Sequence, residues 1–299
     1  MPLPLFRALA IENPEYDIGD VDLVTDRNNI RKLLRFVQGS SSKPFKIEVE
    51  IAGDKTALFT RVEEQTTETI SGFKGYGHNF EKAYTKIPTG STAHHRIVGY
   101  TFGGLKCLVR HETDGYIGSR TPRELTDDLS NALKGLSISK VGSPINRPLP
   151  GAVIVKTDGK AVDPSSTLEI KTRVAHRQLD MAEVVPQLWI SQTPNLVVGY
   201  HRNGVFDNVR PRDMTDELRR WESANQSDLC KLAALLTKII KVVKLSGNGV
   251  ALVQSNGLSN LSIVAGNGKR ALPDDLYAKW EQKGEGSVGS SKQADQGDV

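Results

Sequence analysis

Two short segments carry acidic and basic side chains at a spacing of two. One is Leu108-Val109-Arg110-His111-Glu112-Thr113-Asp114-Gly115-Tyr116, and the other is Thr167-Leu168-Glu169-Ile170-Lys171-Thr172. Residues two apart on a strand share a face. The pattern therefore predicts that Glu112 projects with Asp114 and Glu169 with Lys171, while Ile170 turns the other way into the core. If the two strands are neighbours, three carboxylates and one ammonium converge. Close carboxylates repel, and one must take up a proton unless a cation is present. A hard divalent ion with oxygen ligands, Mg2+ or Mn2+, resolves that conflict. A lysine beside it can orient or deprotonate a water and offset charge developing on a phosphate. The bland alternative is a cross-strand salt bridge on an exposed face, and the spacing alone does not separate the two.

The elements that must position these residues are legible from periodicity. Asp26 precedes a helix with Ile30, Leu33, Leu34 and Val37 on one side and Gly39 as its stop. Its other side, Arg27, Arg31, Lys32 and Arg35, reads as a solvated face. Lys46 to Ile51 and Ala57 to Val62 alternate as strands around a Gly53-Asp54-Lys55 turn. Tyr76 to Lys86 reads as a helix and Leu105 to Tyr116 as one long strand. Arg120 to Pro150 reads as an irregular insertion. Val153 to Lys156 and Thr167 to Thr172 are strands, and Arg177 to Ile190 is an amphipathic helix with Pro186 as a kink or boundary. Asn195 to Tyr200 and Val205 to Val209 form a hairpin turning at Asn203-Gly204. Ser227 caps a helix to Leu245 with a continuous apolar stripe. Gly249 to Gln254 and Leu261 to Val264 are a last pair of strands, and Asp274 to Lys283 is a short helix. Strands interleaved with a few helices predict an α+β (mixed α/β) fold, a single domain with a mixed central sheet flanked by helices. The expected organisation is an N-terminal arm at 1–19, one domain at 20–283 and a disordered tail at 284–299.

An acid on one strand followed by Glu-x-Lys on another is the pattern of PD-(D/E)xK nucleases, and further segments narrow the resemblance. Asp22-Leu23-Val24-Thr25-Asp26, leading into a helix with Lys32-Leu33-Leu34, resembles a segment of the DXO-type decapping exoribonucleases. Gly75-Tyr76-Gly77-His78-Asn79-Phe80-Glu81 is similar to that family's Gly-Tyr-x-Phe-Glu motif. His111 to Asp114 is similar to its Glu-x-Asp motif, and Leu168 to Thr172 to its Glu-x-Lys motif. Pro186 to Ser191 resembles its glutamine-bearing helix, and Pro194 to His201 the strand after it. The matches keep the family's order from residue 22 to about 210.

The resemblance implies a PD-(D/E)xK-like fold with a metal site in a cleft. It implies that Glu81, Asp114 and Glu169 ligate Mg2+ or Mn2+ with the Ile170 carbonyl, and that Glu112 does so directly or through water. Lys171 would position the attacking water, and Gln187 would contact the scissile phosphate or a metal-bound water. The implied activity is a nuclease or hydrolase on RNA 5′ ends: removal of non-canonical caps or 5′ pyrophosphate, with 5′-3′ exonuclease action in several members. The chain departs from the family in two places. Val62 to Phe73 lacks the family's arginine, which puts 5′-end recognition in question, and His78-Asn79 alters the spacing before Glu81. The other readings are a catalytically weak RNA-binding or scaffold protein that supports a partner exonuclease, and a nuclease on single-stranded DNA.

Other residues read more plainly. Arg173 and Arg177 follow the Glu-x-Lys strand and are placed to approach a substrate. Arg202, Arg210 and Arg212 cluster by the hairpin, where they either track a phosphate backbone or are simply solvated. Trp189 reads as core, and Cys107 and Cys230 as buried free thiols. An apolar content of 38% excludes a mainly disordered chain, a collagen or a coiled coil. The 39 basic against 35 acidic residues, net +4, neither announce nor forbid a nucleic-acid partner. Two cysteines exclude a disulfide-stapled scaffold. The longest apolar stretch, Leu232 to Leu245, is broken by lysines, and no apolar run opens the chain. The expectation is a protein of the nucleus or cytoplasm with no membrane segment.

Overall fold

A computed structural model describes residues 3–41, 43–62, 75–86, 93–118, 161–206, 209–257 and 260–281. The segments read as an insertion at 120–150, a strand at 153–156 and a tail from 284 lie outside the described residues. The fold is mixed α+β, with helices packed on two sheets rather than on one.

The chain opens with α1 (Leu3–Glu12), followed by β1 (Leu23–Asp26) and α2 (Arg27–Val37). The predicted hairpin is β2 (Phe45–Ala52) and β3 (Thr56–Val62), then α3 (Tyr76–Tyr84), β4 (His95–Phe102) and β5 (Leu105–Glu112). Next come β6 (Gly115–Tyr116), β7 (Thr167–Val174), α4 (Met181–Ser191) and β8 (Asn195–Arg202). The chain ends with β9 (Val205–Phe206), β10 (Pro211–Asp213), α5 (Thr215–Ala224), α6 (Gln226–Leu245), β11 (Val250–Ser255), β12 (Leu261–Ala265) and α7 (Asp274–Glu281).

Among the described residues the first sheet has seven strands in the order β12-β11-β2-β3-β1-β5-β4. Short β1 lies parallel to both neighbours, Leu23 opposite Ala57 on one side and Cys107 on the other. The second sheet runs β10-β8-β7-β6, with β9 beside β8. Its centre is the parallel pair β7 and β8, with Glu169 opposite Leu196. At the β8–β9 turn Asn203 and Gly204 both have positive φ, 50° and 89°, as a two-residue hairpin loop requires.

Leu105 to Tyr116 is not one strand. β5 belongs to the first sheet and β6 to the second, and the chain crosses between them at Thr113-Asp114. The Thr113 amide is spent on the His94 carbonyl, which ends the first ladder and frees Asp114 from strand alternation.

One face of the first sheet packs Leu23, Ile47, Val49 and Val109 against Ile30, Leu33 and Leu34 of α2, and against Leu229, Leu232, Leu236, Ile239 and Val243 of α6. The three–four spacing in α6 makes that stripe. The other face is closed by the first and last described helices together, Leu5 and Phe6 of α1 with Leu276 and Tyr277 of α7. The second sheet packs Leu196 against Val184, Val185 and Leu188 of α4, and Leu168, Ile170 and Val197 against Phe80 of α3. Gly199 must be glycine there, because a Cβ would lie 2.7 Å from the Phe80 ring.

Helix starts differ from the expectation where side chains are otherwise employed. Asp26 precedes α2 without capping it, since its carboxylate holds Arg110 at 2.6 Å. Ser227 is not a cap: α5 runs almost directly into α6, which begins at Gln226. The helix predicted from Arg177 begins at Met181, where the Asp180 carboxylate accepts the Ala182 amide at 3.0 Å. Trp189 is core, as expected, with Nε1 donating to Glu222 at 3.1 Å. Cys107 is buried but Cys230 is exposed, because it sits off the apolar stripe of α6.

Candidate functional site

The crossing between the sheets gathers the chemistry. β1 ends beside β5, Asp26 opposite Arg110, and delivers Arg27 to the first turn of α2. β5 ends at Glu112, and Asp114 follows at the crossing. β6 then pairs with β7, Gly115 opposite Leu168, which sets Asp114 against the backbone of Ile170. The Ile170 amide donates to Asp114 Oδ2 at 2.6 Å. Alternation along β7 sends Leu168 and Ile170 into the core under α3 and leaves Glu169 and Lys171 on the opposite face. Lys171 Nζ donates to Glu169 Oε1 at 2.5 Å, and Arg27 Nη1 donates to Glu169 Oε2 at 2.8 Å. The Glu169 side chain is 3% exposed, so both of its oxygens are paired with cations away from water.

Electrostatics divides the two carboxylates. Burial raises the Glu169 pKa, but Arg27 and Lys171 outweigh that and leave it below the usual carboxylate range. Asp114 is pushed up to about 7, first by burial and then by the Glu169 charge, with Glu81 adding to it; the Ile170 amide and Lys171 pull it back only in part. Glu81 reaches this field because Phe80 anchors α3 beneath the second sheet, stacked on Tyr84 with ring centroids 4.3 Å apart.

The site residues expected from sequence divide into groups. Asp114, Glu169, Lys171 and Glu81 share one electrostatic neighbourhood. Glu112 does not project with Asp114 from a common strand. It closes β5 opposite His95, exposed, while Asp114 is half-buried beyond the strand's end. Ile170 contributes its amide, to Asp114. Gln187 is buried on α4, and its Nε2 donates to the Glu183 carbonyl at 3.0 Å. Arg173 and Arg177 are exposed toward and beyond the end of β7. Arg202 is exposed at the far end of β8, six residues past the partner of Glu169 and so about 20 Å along the strand.

Sequence reasoning missed two members. Arg27, assigned to a solvated helix face, is packed against Glu169, with only 16% of its side chain exposed. It stands where β1, parallel to both its neighbours, turns into α2, the position at which such sheets build sites, and that pairing is visible only in the structure. His111 is 5% exposed on the α2 side of β5, its Nδ1 3.1 Å from the Glu112 carbonyl oxygen and its Nε2 unpartnered. Burial pushes its pKa down to about 4, with Arg27 and Arg96 adding to that and Glu169 opposing it.

Asp114, Glu169 and Glu81 carry only oxygen donors, the ligand type a hard divalent cation takes, and the charges of Glu169 and Glu81 are both felt at Asp114. The raised Asp114 is a carboxylate short of positive charge, which fits such an ion. Among the described residues no group of three His, Cys, Asp or Glu side chains is assembled to hold a metal, in keeping with Arg27 and Lys171 occupying both Glu169 oxygens. Among the described residues, too, no helix is long and apolar enough to cross a membrane.

The family described as "Domain of unknown function (DUF8563)" matches residues 2–280. No curated protein matches the chain. Solved structures share the fold. Scheffersomyces stipitis Rai1, in complex with (3′-NADP)+ and calcium ion, is 15% identical, covers 93% of this chain and 79% of its own, and gives a TM-score of 0.61. Candida albicans Rai1, in complex with pU5-Mn2+, is 13% identical over 93% and 80%, at 0.57. K. lactis Dxo1, in complex with manganese, is 13% identical over 90% and 72%, at 0.55.

Proposed function

We propose that this chain, which belongs to the DUF8563 family, is a divalent-metal-dependent hydrolase of phosphodiester or pyrophosphate bonds at RNA 5′ ends. The carrying observation is the geometry at the sheet crossing of a Rai1-like fold: Asp114 is held by the Ile170 amide beside buried Glu169, and Lys171 donates to Glu169. The nucleotides and divalent ions in complex with the neighbouring proteins support the same chemistry.

Asp114, Glu169 and Glu81 would hold the ion, which supplies charge neutralisation at the phosphate and a more acidic water. Lys171 gives up its contact with Glu169 to hold a water or a phosphate oxygen. Gln187 turns its amide from the Glu183 carbonyl toward substrate. Arg27 keeps Glu169 ionised and its carboxylate plane fixed. Buried Ile170 and Phe80 keep β7 and α3 rigid beneath these groups. The expected compartments are the nucleus and the cytoplasm.

The test is degradation of one RNA bearing 5′ monophosphate, triphosphate, NAD or unmethylated cap, with single-stranded DNA alongside, in Mg2+ and in Mn2+. End-specific products that vanish in Asp114→Ala and Glu169→Ala support the proposal. No product from any substrate would overturn it. The second reading, an RNA-binding or scaffold protein supporting a partner exonuclease, draws on the complete pairing of Glu169 by Arg27 and Lys171 and on the missing arginine between Val62 and Phe73. Calorimetry with Mn2+ separates the two, since a scaffold has no need of the ion.

A further inference from the structure

The basic face of α2 is not spread through solvent. Arg27, Arg31 and Arg35 stand at i, i+4 and i+8, so they form one row with a step of about 6 Å. The row begins at the candidate site, where Arg27 holds Glu169, and runs along the seam with α4. There Arg31 lies 3.3 Å from Glu183, and Arg35 reaches the same carboxylate oxygen. Along the row itself three guanidiniums, Arg27, Arg31 and Arg35, meet two carboxylates, Glu169 and Glu183, while Lys171 at its head faces Glu169 and Asp114. Arg31 is 21% exposed, and its pKa falls to about 10 through burial and the charges of Arg35 and Arg27; it stays charged at neutral pH. Glu183 is half-exposed at 49%, so it is free to swing away into water.

A row of guanidiniums with surplus positive charge, countered by one mobile carboxylate, suits a run of phosphates. A step near 6 Å is also of the order of the separation between successive phosphates in an extended strand. We propose that Arg31 and Arg35 bind the phosphate backbone of single-stranded RNA leading away from the candidate site, with Glu183 as the internal anion that the RNA displaces. The inference rests on the function proposed above and gives it a binding path. The row also supplies arginines to a chain that lacks one between Val62 and Phe73.

The probe is a 5′-phosphorylated pentauridylate with a 3′ fluorophore, bound to the full chain in EDTA and followed by anisotropy across salt concentrations. Arg31→Gln and Arg35→Gln should each weaken binding about 5- to 20-fold and reduce the slope of log K against log salt by about 0.7. Glu183→Gln should tighten binding about 3- to 10-fold, a gain that damage to the fold would not produce. Lys238→Gln, on the exposed side of α6, should leave both readouts unchanged. Unaltered affinity and slope in Arg31→Gln and Arg35→Gln would overturn the path. So would full displacement by pyrophosphate at the oligonucleotide's own Kd, which would reveal a site for free phosphate. Metal-dependent hydrolysis by the wild type, with binding indifferent to these arginines, sinks the path and leaves the enzyme. Arginine-dependent binding without hydrolysis does the reverse.

Discussion

Asp114 offers the sharpest test of the electrostatics, through Asp114→Asn. Its pKa rises from the ordinary aspartate value of 3.8 to about 7 in the folded protein, chiefly through burial and then through Glu169. A folded-state pKa above the unfolded one means that the native protein binds the extra proton between these values. Stability from this group is therefore complete below pH 3.8 and is lost as pH rises through 7. At about 1.4 kcal/mol per pH unit, the gap is worth on the order of 4 kcal/mol between pH 4 and pH 8. Asparagine is neutral throughout and keeps an oxygen for the Ile170 amide, which now donates at 2.6 Å. Urea unfolding in EDTA should find the two proteins nearly equal at pH 4. At pH 8 the variant should be the more stable by about 4 kcal/mol, or about 10 °C in Tm. Saturating Mn2+ should stabilise the wild type alone, because only it regains the ion's binding energy on folding. A stability difference that does not change with pH, or a variant weaker at pH 8, would refute the assignment of Asp114 as a carboxylate lacking positive charge.

Three other outcomes are expected. Arg27→Gln should lower stability in EDTA by about 1–3 kcal/mol, by leaving one buried oxygen of Glu169 unpaired, and Mn2+ should restore part of it; a Tm unchanged in both buffers would count against the Arg27–Glu169 pair. His111 is buried neutral with its pKa near 4, so its contribution is whole above pH 6.5 and is lost as pH falls toward 4. His111→Leu should thus remove about 2–3 kcal/mol of acid sensitivity between pH 6.5 and 4.5, measured by denaturant titration at both ends. Leu236→Ala, at the fully buried centre of the α6 stripe, should cost about 3–5 kcal/mol in urea unfolding without altering Mn2+ affinity; altered affinity would mean that the core and the site are coupled.

Much of the scaffold was legible because its periodicities are local. The α6 stripe, the β2–β3 hairpin and the Asn203-Gly204 turn each declare themselves within a few residues. Glu169 and Lys171 came out on one face because β7 is a regular strand. Glu112 and Asp114 did not, because the chain leaves one sheet and enters another between them, and two-residue alternation holds only within a ladder. The partner of Glu169 was hidden for a different reason. Arg27 lies 142 residues away and belongs to a helix whose charged side looked like any solvated side. Charge patterning along one helix cannot reveal the second helix that covers it, and α4 covers this one.

The first sheet has a consequence for synthesis on the ribosome. Every described residue of the candidate site lies between Arg27 and Gln187, yet β2, one flank of the hairpin that carries β3 to β1, is paired on its outer edge by β11, with Glu50 opposite Val250. That edge stays open until some two hundred further residues have emerged. The Glu50 carboxylate waits longer still, for the Ala271 amide and the Tyr277 hydroxyl. A nascent chain must therefore carry an alternating, half-apolar strand edge through most of its translation, the kind of surface that pairs with the wrong neighbour. Ribosome stalling or truncation before Val250 should yield aggregates rather than a smaller working protein, and chaperone demand should fall sharply once β11 clears the exit tunnel.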